Sequence, residues 1–232
     1  MENSRLHEQL PAASQGWEKV AVAGRRHPFL AFTALTLVGC LVLVWWLDKP
    51  LALFLHRYAT GTRPFFEAVT NAADTAYGAT IMHNWLGWPV LFWVLGLGYV
   101  LGRWLLRQRA ARVLLVMLLT HVSSEITANV IKVLTHRQRP QFLAGGGDAG
   151  GSFGSSGPDW DSFPSAHTAI YWGLFWPLAL AFPRWRRPLL VLPVLISLER
   201  LVVGVHYLSD VWAAIWLVVA WTLLFRLLRR WL

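Results

Sequence analysis

Residues 29–47 read FLAFTALTLVGCLVLVWWL, nineteen positions without a charged side chain. A bilayer core about 30 Å thick is crossed by roughly 20 apolar residues in helical form, so this run is expected to span a membrane. It follows 28 residues of mostly polar sequence, longer than the basic head of a secretory signal, and no small-residue cleavage site stands out. The run therefore reads as an uncleaved signal anchor, with residues 1–28 a cytoplasmic segment and 29–232 a single membrane domain.

Further apolar stretches follow at 87–106, 113–134, 166–182, 188–205 and 211–228. Together they predict an all-α polytopic membrane protein, a six-transmembrane helix bundle with both termini on one side. Residues 48–86 break the up-and-down pattern. They begin with an amphipathic stretch at 51–55, and Thr62 and Pro64 are placed to open a short helix carrying Phe65, Phe66 and Val69. Short interfacial periplasmic helices covering the bundle are expected there. Residues 145–157, GGGDAGGSFGSSG, hold seven glycines in thirteen positions and no Walker-type lysine, so a mobile connector is expected rather than a phosphate cradle.

Composition agrees with a membrane. Of 232 residues, 56% are hydrophobic and only 14% charged, with mean hydropathy +0.44. Soluble domains carry about 25% charged residues. The apolar content excludes disorder, and the single Cys40 excludes a disulfide scaffold. The net charge of +9 raises the question of nucleic acid, which the positions of the charges answer. Fourteen of the 21 basic residues fall in four segments: Arg5, Lys19, Arg25 and Arg26; Arg103, Arg107, Arg109 and Arg112; Arg184, Arg186 and Arg187; Arg226, Arg229 and Arg230. The opposite connections hold Lys49, Arg57, Arg63, Lys132, Arg137 and Arg139. The positive-inside rule then puts both termini in the cytoplasm. The charge reads as topology, and no nucleic-acid partner is expected.

Ionisable groups inside spans are costly and tend to be paired or functional. Three clusters gather toward the outer side. In the third span His121, Glu125 and Lys132 share a helical face, and Arg137, Arg139 and Pro140 follow. Taken alone, these cations suit lipid headgroups or a salt bridge. Phe163-Pro164-Ser165-Ala166-His167-Thr168 opens the fourth span, where free backbone N–H groups favour an oxyanion and Ser165 is a ready helix cap. Glu199, Arg200, His206 and Asp210 lie at the junction of the fifth and sixth. A carboxylate one turn from an imidazole can orient it, and Arg200 offers a planar fork to phosphate oxygens. Two histidines, fixed cations and a helix start on one face describe an anion-transfer site.

At these residues the chain resembles the type 2 phosphatidic acid phosphatase family of membrane lipid phosphatases. The K-x6-R-P motif is matched from Lys132 to Arg139-Pro140. The P-S-G-H motif is approached by Pro164-Ser165-Ala166-His167, with Ala166 for Gly. The S-R-x5-H-x3-D motif is matched by Arg200, His206 and Asp210, with Glu199 for Ser. The resemblance implies a metal-independent phosphatase, without cofactor, that works through a phosphohistidine. His206 would attack phosphorus and Asp210 would orient it. Lys132, Arg139, Ser165, the Ala166 N–H and Arg200 would hold the phosphate oxygens. His167 would protonate the leaving oxygen and then activate water. His136, Arg137 and Glu125 stand outside the motifs and read as supporting or structural.

The expectation is thus an inner-membrane enzyme acting at the periplasmic face on a lipid phosphate. Undecaprenyl diphosphate, phosphatidylglycerol phosphate, phosphatidic acid and lipid A phosphates are the candidate substrates, and the bilayer is its surroundings. A phosphotransferase using the same phosphohistidine is the near alternative. A transporter or channel lined by Glu125, Arg200 and Lys132 is the distant one, and predicts flux that survives His206→Ala.

Overall fold

The computed structural model describes residues 28–82, 84–85, 88–143, 152–154 and 159–228. The expected cytoplasmic segment up to residue 27, most of the glycine-rich connector and the basic pair Arg229 and Arg230 lie outside them. The chain divides into two compact units, Met1–Gly39 and Cys40–Leu232. Helix α1 covers Pro28–Val42 and is followed by a π-helical turn at Leu43–Leu47. Then come α2 (Asp48–Tyr58), α3 (Arg63–Met82), a two-stranded antiparallel pair of β1 (Asn84–Trp85) and β2 (Trp88–Pro89), and α4 (Val90–Val100). The rest is α5 (Arg112–Thr135), α6 (Ala166–Ala181), α7 (Arg186–Val202) and α8 (Leu208–Leu228).

The protein is an all-α, multi-pass membrane protein, but the six-span expectation does not hold. Among the described residues three helical stretches are long and apolar enough to cross a membrane: Phe29–Tyr58, Arg112–Phe142 and Leu208–Leu228. The other three expected spans are cut short by identifiable breaks. Pro89 delays the second until Val90, leaving the apolar helix Val90–Leu105, which at 1.5 Å per residue reaches only about 24 Å. The fourth, at 16 residues, ends before Pro183. The fifth has 17 residues and ends at a turn around Gly204. Nor is the segment after Tyr58 a short interfacial piece. Helix α3 runs 20 residues and packs against α7.

Helices α5, α6 and α8 form the centre of the second unit. They meet through Ala128, Ala169 and Ala214, each fully buried, with Leu217 beside them and Ile131 and Trp216 packed on the cluster. Small side chains let helix backbones approach closely, which substitutes for the hydrophobic drive that lipid removes. Gly173 on α6 lies so near His121 on α5 that a Cβ there would stand 2.9 Å from the His121 Cα. Indoles find partners across the packing. Trp172 Nε1 donates to Ser197 Oγ on α7 at 3.0 Å, and Trp221 Nε1 on α8 donates to Thr127 Oγ1 on α5 at 3.1 Å. The large apolar side chains left exposed, such as Leu134 at 75% and Trp104 at 73%, suit a lipid surround.

Candidate active site

The segments joining α5 to α6 and α7 to α8 bring the motif residues to one end of these helices. Helix α8 begins there with two carboxylates. Asp210, in its first turn, reaches back to accept the Tyr207 N–H at 2.7 Å, half of a capping box. Asp48 at the start of α2 accepts the Ser209 N–H at 3.1 Å and the Ser209 hydroxyl. Anions at a helix N-terminus are favoured by unsatisfied N–H groups and the dipole. Arg137 bridges the two carboxylates, donating Nη2 to Asp48 at 2.7 Å and Nη1 to Asp210 and to Ser209 Oγ. Its guanidinium also lies over the Tyr207 ring, 4.2 Å from the centroid. Arg137, Asp48 and Asp210 are all at most 1% exposed.

His206 stands next to this network and is 4% exposed. Its Nδ1 lies 2.7 Å from the Ser162 carbonyl and 3.5 Å from Asp210 Oδ2. The backbone carbonyl is thus the nearer hydrogen-bond acceptor, and Asp210 stands behind it. Asp210 Oδ2 in turn accepts the Ser162 hydroxyl at 2.6 Å. With Nδ1 committed as donor, Nε2 carries the lone pair. Burial drives the His206 pKa down to about 4, against the pull of Asp210, so the imidazole is neutral at physiological pH.

Two cations of the first motif share one anion. Arg139 donates Nε and Nη2 to the two Asp161 oxygens at 2.8 and 2.9 Å. Lys132 Nζ donates to the Asp161 backbone carbonyl and lies 3.8 Å from its carboxylate. Burial pushes the Asp161 carboxyl up, but the Arg139 hydrogen bonds and the Lys132 charge outweigh it and hold the group below the usual carboxylate range. The charges of Lys132 and Arg139 also act on His206. The Asp161 side chain is 50% exposed.

At the start of α6, Ser165 is an extended N-cap whose hydroxyl accepts from Thr168 N at 3.4 Å and Thr168 Oγ1 at 3.0 Å. It is fully buried, and its hydroxyl serves the cap. Ala166 and His167 follow in the first turn, where helix N–H groups have no intrahelical acceptor. The Ser165 N–H donates to the Asp210 carbonyl at 3.2 Å and ties this turn to α8. His167 Nε2 is 3.3 Å from Asp74 Oδ2 on α3. Burial and the Arg200 charge hold this imidazole below its ordinary pKa, while Asp74 acts in the opposite sense.

Helix α7 ends in a Schellman turn. The Val205 N–H bonds to the Arg200 carbonyl at 3.2 Å and the Gly204 N–H to the Leu201 carbonyl at 3.1 Å. Gly204 adopts φ +81°, a left-handed conformation that costs side-chain-bearing residues about 1–2 kcal/mol. This turn delivers His206, whose own N–H also reaches the Arg200 carbonyl at 3.2 Å. The Arg200 side chain donates Nε to Glu199.

Lys132, Arg139, His206 and Asp210 thus share a neighbourhood tied together by residues 161 and 162, and His167 lies within reach of the Arg200 and Lys132 charges. Four participants, Asp48, Asp74, Asp161 and Ser162, escaped the sequence reading, while Arg137 takes the supporting place expected of it. Asp48 carried a signal, a carboxylate closing a nineteen-residue apolar run. Arg137 stood two positions from Arg139. Asp74, Asp161 and Ser162 carried none. Among the described residues no group of three or more His, Cys, Asp and Glu side chains is arranged to hold a metal ion.

The profile of the PAP2 superfamily matches residues 109–232. A lipid A 1-phosphatase of Rhizobium etli is 33% identical over 96 residues, 41% of each chain. A second protein of that description, from Rhizobium johnstonii, is 33% identical over 96 residues, 41% of this chain and 39% of its own. The chain therefore matches about two fifths of the length of these curated relatives. No solved structure matches the chain.

Proposed function

The chain belongs to the PAP2 superfamily, and from that premise we propose that it hydrolyses a phosphate ester of a membrane lipid through a phosphohistidine. The observation carrying this reading is the His206 setting: Nδ1 held by the Ser162 carbonyl with Asp210 behind it, and two motif cations acting on the ring. Nε2 is then a neutral nucleophile beside a cationic cradle. Phosphoryl transfer needs mainly positioning and stabilisation of charge on the equatorial oxygens, which Lys132, Arg139, Arg200 and the first-turn N–H of Ala166 can supply. Ser165 fixes that turn and borders the same oxygens. His167 gives a proton to the leaving oxygen and later takes one from water.

The likeness to lipid A 1-phosphatases supports a lipid A-type phosphate as the first substrate to test. The basic ends of α5 and α8, at Arg112 and Arg226, lie at the ends away from Lys132 and Asp210. The positive-inside rule then favours a site on the periplasmic face of a bacterial inner membrane.

The test is phosphate release by purified protein, without added acceptor, from lipid A, phosphatidic acid, phosphatidylglycerol phosphate and a polyprenyl diphosphate. Release from at least one, inhibition by orthovanadate, indifference to EDTA and loss of more than about 10³-fold in His206→Ala are expected. Release that persists in His206→Ala overturns the nucleophile, and no release from any lipid overturns the activity.

A further inference from the structure

Asp74 belongs to none of the three motifs and lies upstream of the matched region, 109–232. Yet α3 sets it against the first two turns of α6. Its Oδ2 is 3.3 Å from His167 Nε2, and its Oδ1 accepts the Tyr171 hydroxyl at 2.7 Å. His167 and Tyr171 are four residues apart and so lie on one face of α6. One carboxylate therefore spans adjacent turns, each oxygen engaged by a different side chain. Tyr171 is 3% exposed, so its donation is fixed by packing. A carboxylate held by a buried hydroxyl is a suitable second group for an imidazole that must keep one tautomer and one orientation.

We propose that Asp74 is the positioning residue of the second histidine: it keeps His167 Nε2 as the N–H, favours the imidazolium, and leaves Nδ1 to exchange the proton with the reacting groups. Tyr171 acts through Asp74 by holding its rotamer. The inference rests on the phosphatase reading and adds to it a proton carrier built from two helices. In the first step His206 Nε2 forms the N–P bond and the bond from phosphorus to the leaving oxygen breaks. The leaving oxygen takes that electron pair and receives the Nδ1 proton of His167. In the second, water oxygen bonds to phosphorus, the N–P pair returns to His206, and the water proton goes to His167 Nδ1. Asp74 stays ionised in both.

Several charges compete at this ring. Arg200 from α7 and Lys132 from α5 oppose protonation of His167, and Asp74 from α3 supports it. Asp74 itself interacts with Tyr77 on α3, Tyr171 on α6 and Glu199 on α7. Removing its charge leaves the two cations and burial unopposed.

The experiment compares Asp74→Asn, Asp74→Glu and Tyr171→Phe with the full-length parent by kcat/KM, which reports steps up to loss of the leaving group. Two substrates are used: a lipid phosphate with an alcohol leaving group, and p-nitrophenyl phosphate, whose phenolate leaves without a proton. Asp74→Asn is expected to lose about 30- to 100-fold on the lipid and at most about threefold on the aryl ester, within the usual reach of general acid catalysis. The alkaline limb of its lipid profile should move toward acid by about one pH unit. Asp74→Glu should recover part of the loss, and Tyr171→Phe should shift in the same direction by less. Equal losses on both esters with an unmoved limb, or no loss in either carboxylate variant, overturn the inference. If Asp74→Asn does not fold, Tyr171→Phe decides by the same two readouts. His206→Ala is run alongside. Activity surviving there defeats the His206 phosphohistidine on which the inference rests, whereas an inactive His206→Ala beside a leaving-group response unchanged in the other variants defeats only the role of Asp74.

Discussion

Two ionic clusters flank His206, each pairing arginine with aspartate and differing in water. In one, Arg137 sits between Asp48 and Asp210, with all three side chains at most 1% exposed and further held by Ser209. In the other, Arg139 and Lys132 share Asp161, whose side chain is half in solvent. A dry pair is fixed, because neither charge has water to retreat to. A wet pair exchanges partners at little cost. The first cluster therefore acts as a frame for Asp210 and through it for His206, and the second as a cradle whose carboxylate an incoming phosphate can replace.

The sharpest way to break this contrast is to remove one arginine from each cluster. Arg137→Ala leaves two buried carboxylates uncompensated and is expected to lose about 3–5 kcal/mol of stability, read from denaturant unfolding in detergent. Arg139→Ala should change stability by less than about 1 kcal/mol, since its partner reaches solvent. Its kcat/KM should instead fall about 10²–10³-fold, the scale of losing one donor to developing charge. If the two variants lose stability equally, frame and cradle are one structure.

This division explains what was legible in the sequence. Lys132, Arg139, His167, Arg200, His206 and Asp210 stood out because chemistry fixes their types and helical or turn geometry fixes their spacing. The place of Asp48 in the frame did not stand out, because it lies 162 positions from Asp210 and shares Arg137 with it only in the folded chain. Asp74 meets α6 in the same way through α3. Membrane spans were misjudged for a different reason. Apolar content reports burial in protein or in lipid alike, whereas span length depends on the breaks. Pro89, Pro183 and Gly204 set those breaks, and hydropathy averages over them.

The burial of His206 beside the frame also predicts a pH response. His206 has a folded pKa of about 4 against an ordinary value of about 6.5. Above 6.5 both folded and unfolded chains carry it neutral, so it contributes no dependence. As pH falls from about 6.5 to about 4 the unfolded chain takes up a proton that the folded one refuses, and stability declines. The decline attributable to this residue is about 3 kcal/mol over that window, and His206→Gln should flatten it. A stability curve with the same slope in the variant would take His206 out of the dry environment.

The smallest expected effect tests the cradle directly. Asp161→Asn removes the resident negative charge but keeps the side-chain shape, so Lys132 and Arg139 lose their competitor for phosphate. Stability should move by less than about 0.5 kcal/mol, because the Asp161 side chain is half in solvent and Lys132 keeps its bond to the residue's backbone carbonyl. Phosphate affinity should rise instead, with KM and the inhibition constant for orthovanadate each falling about two- to fivefold, more at low salt, where the bare cations are least screened. A rise in KM would make Asp161 a group that orients Arg139 for the substrate, and the anion in the cradle would then be part of its frame.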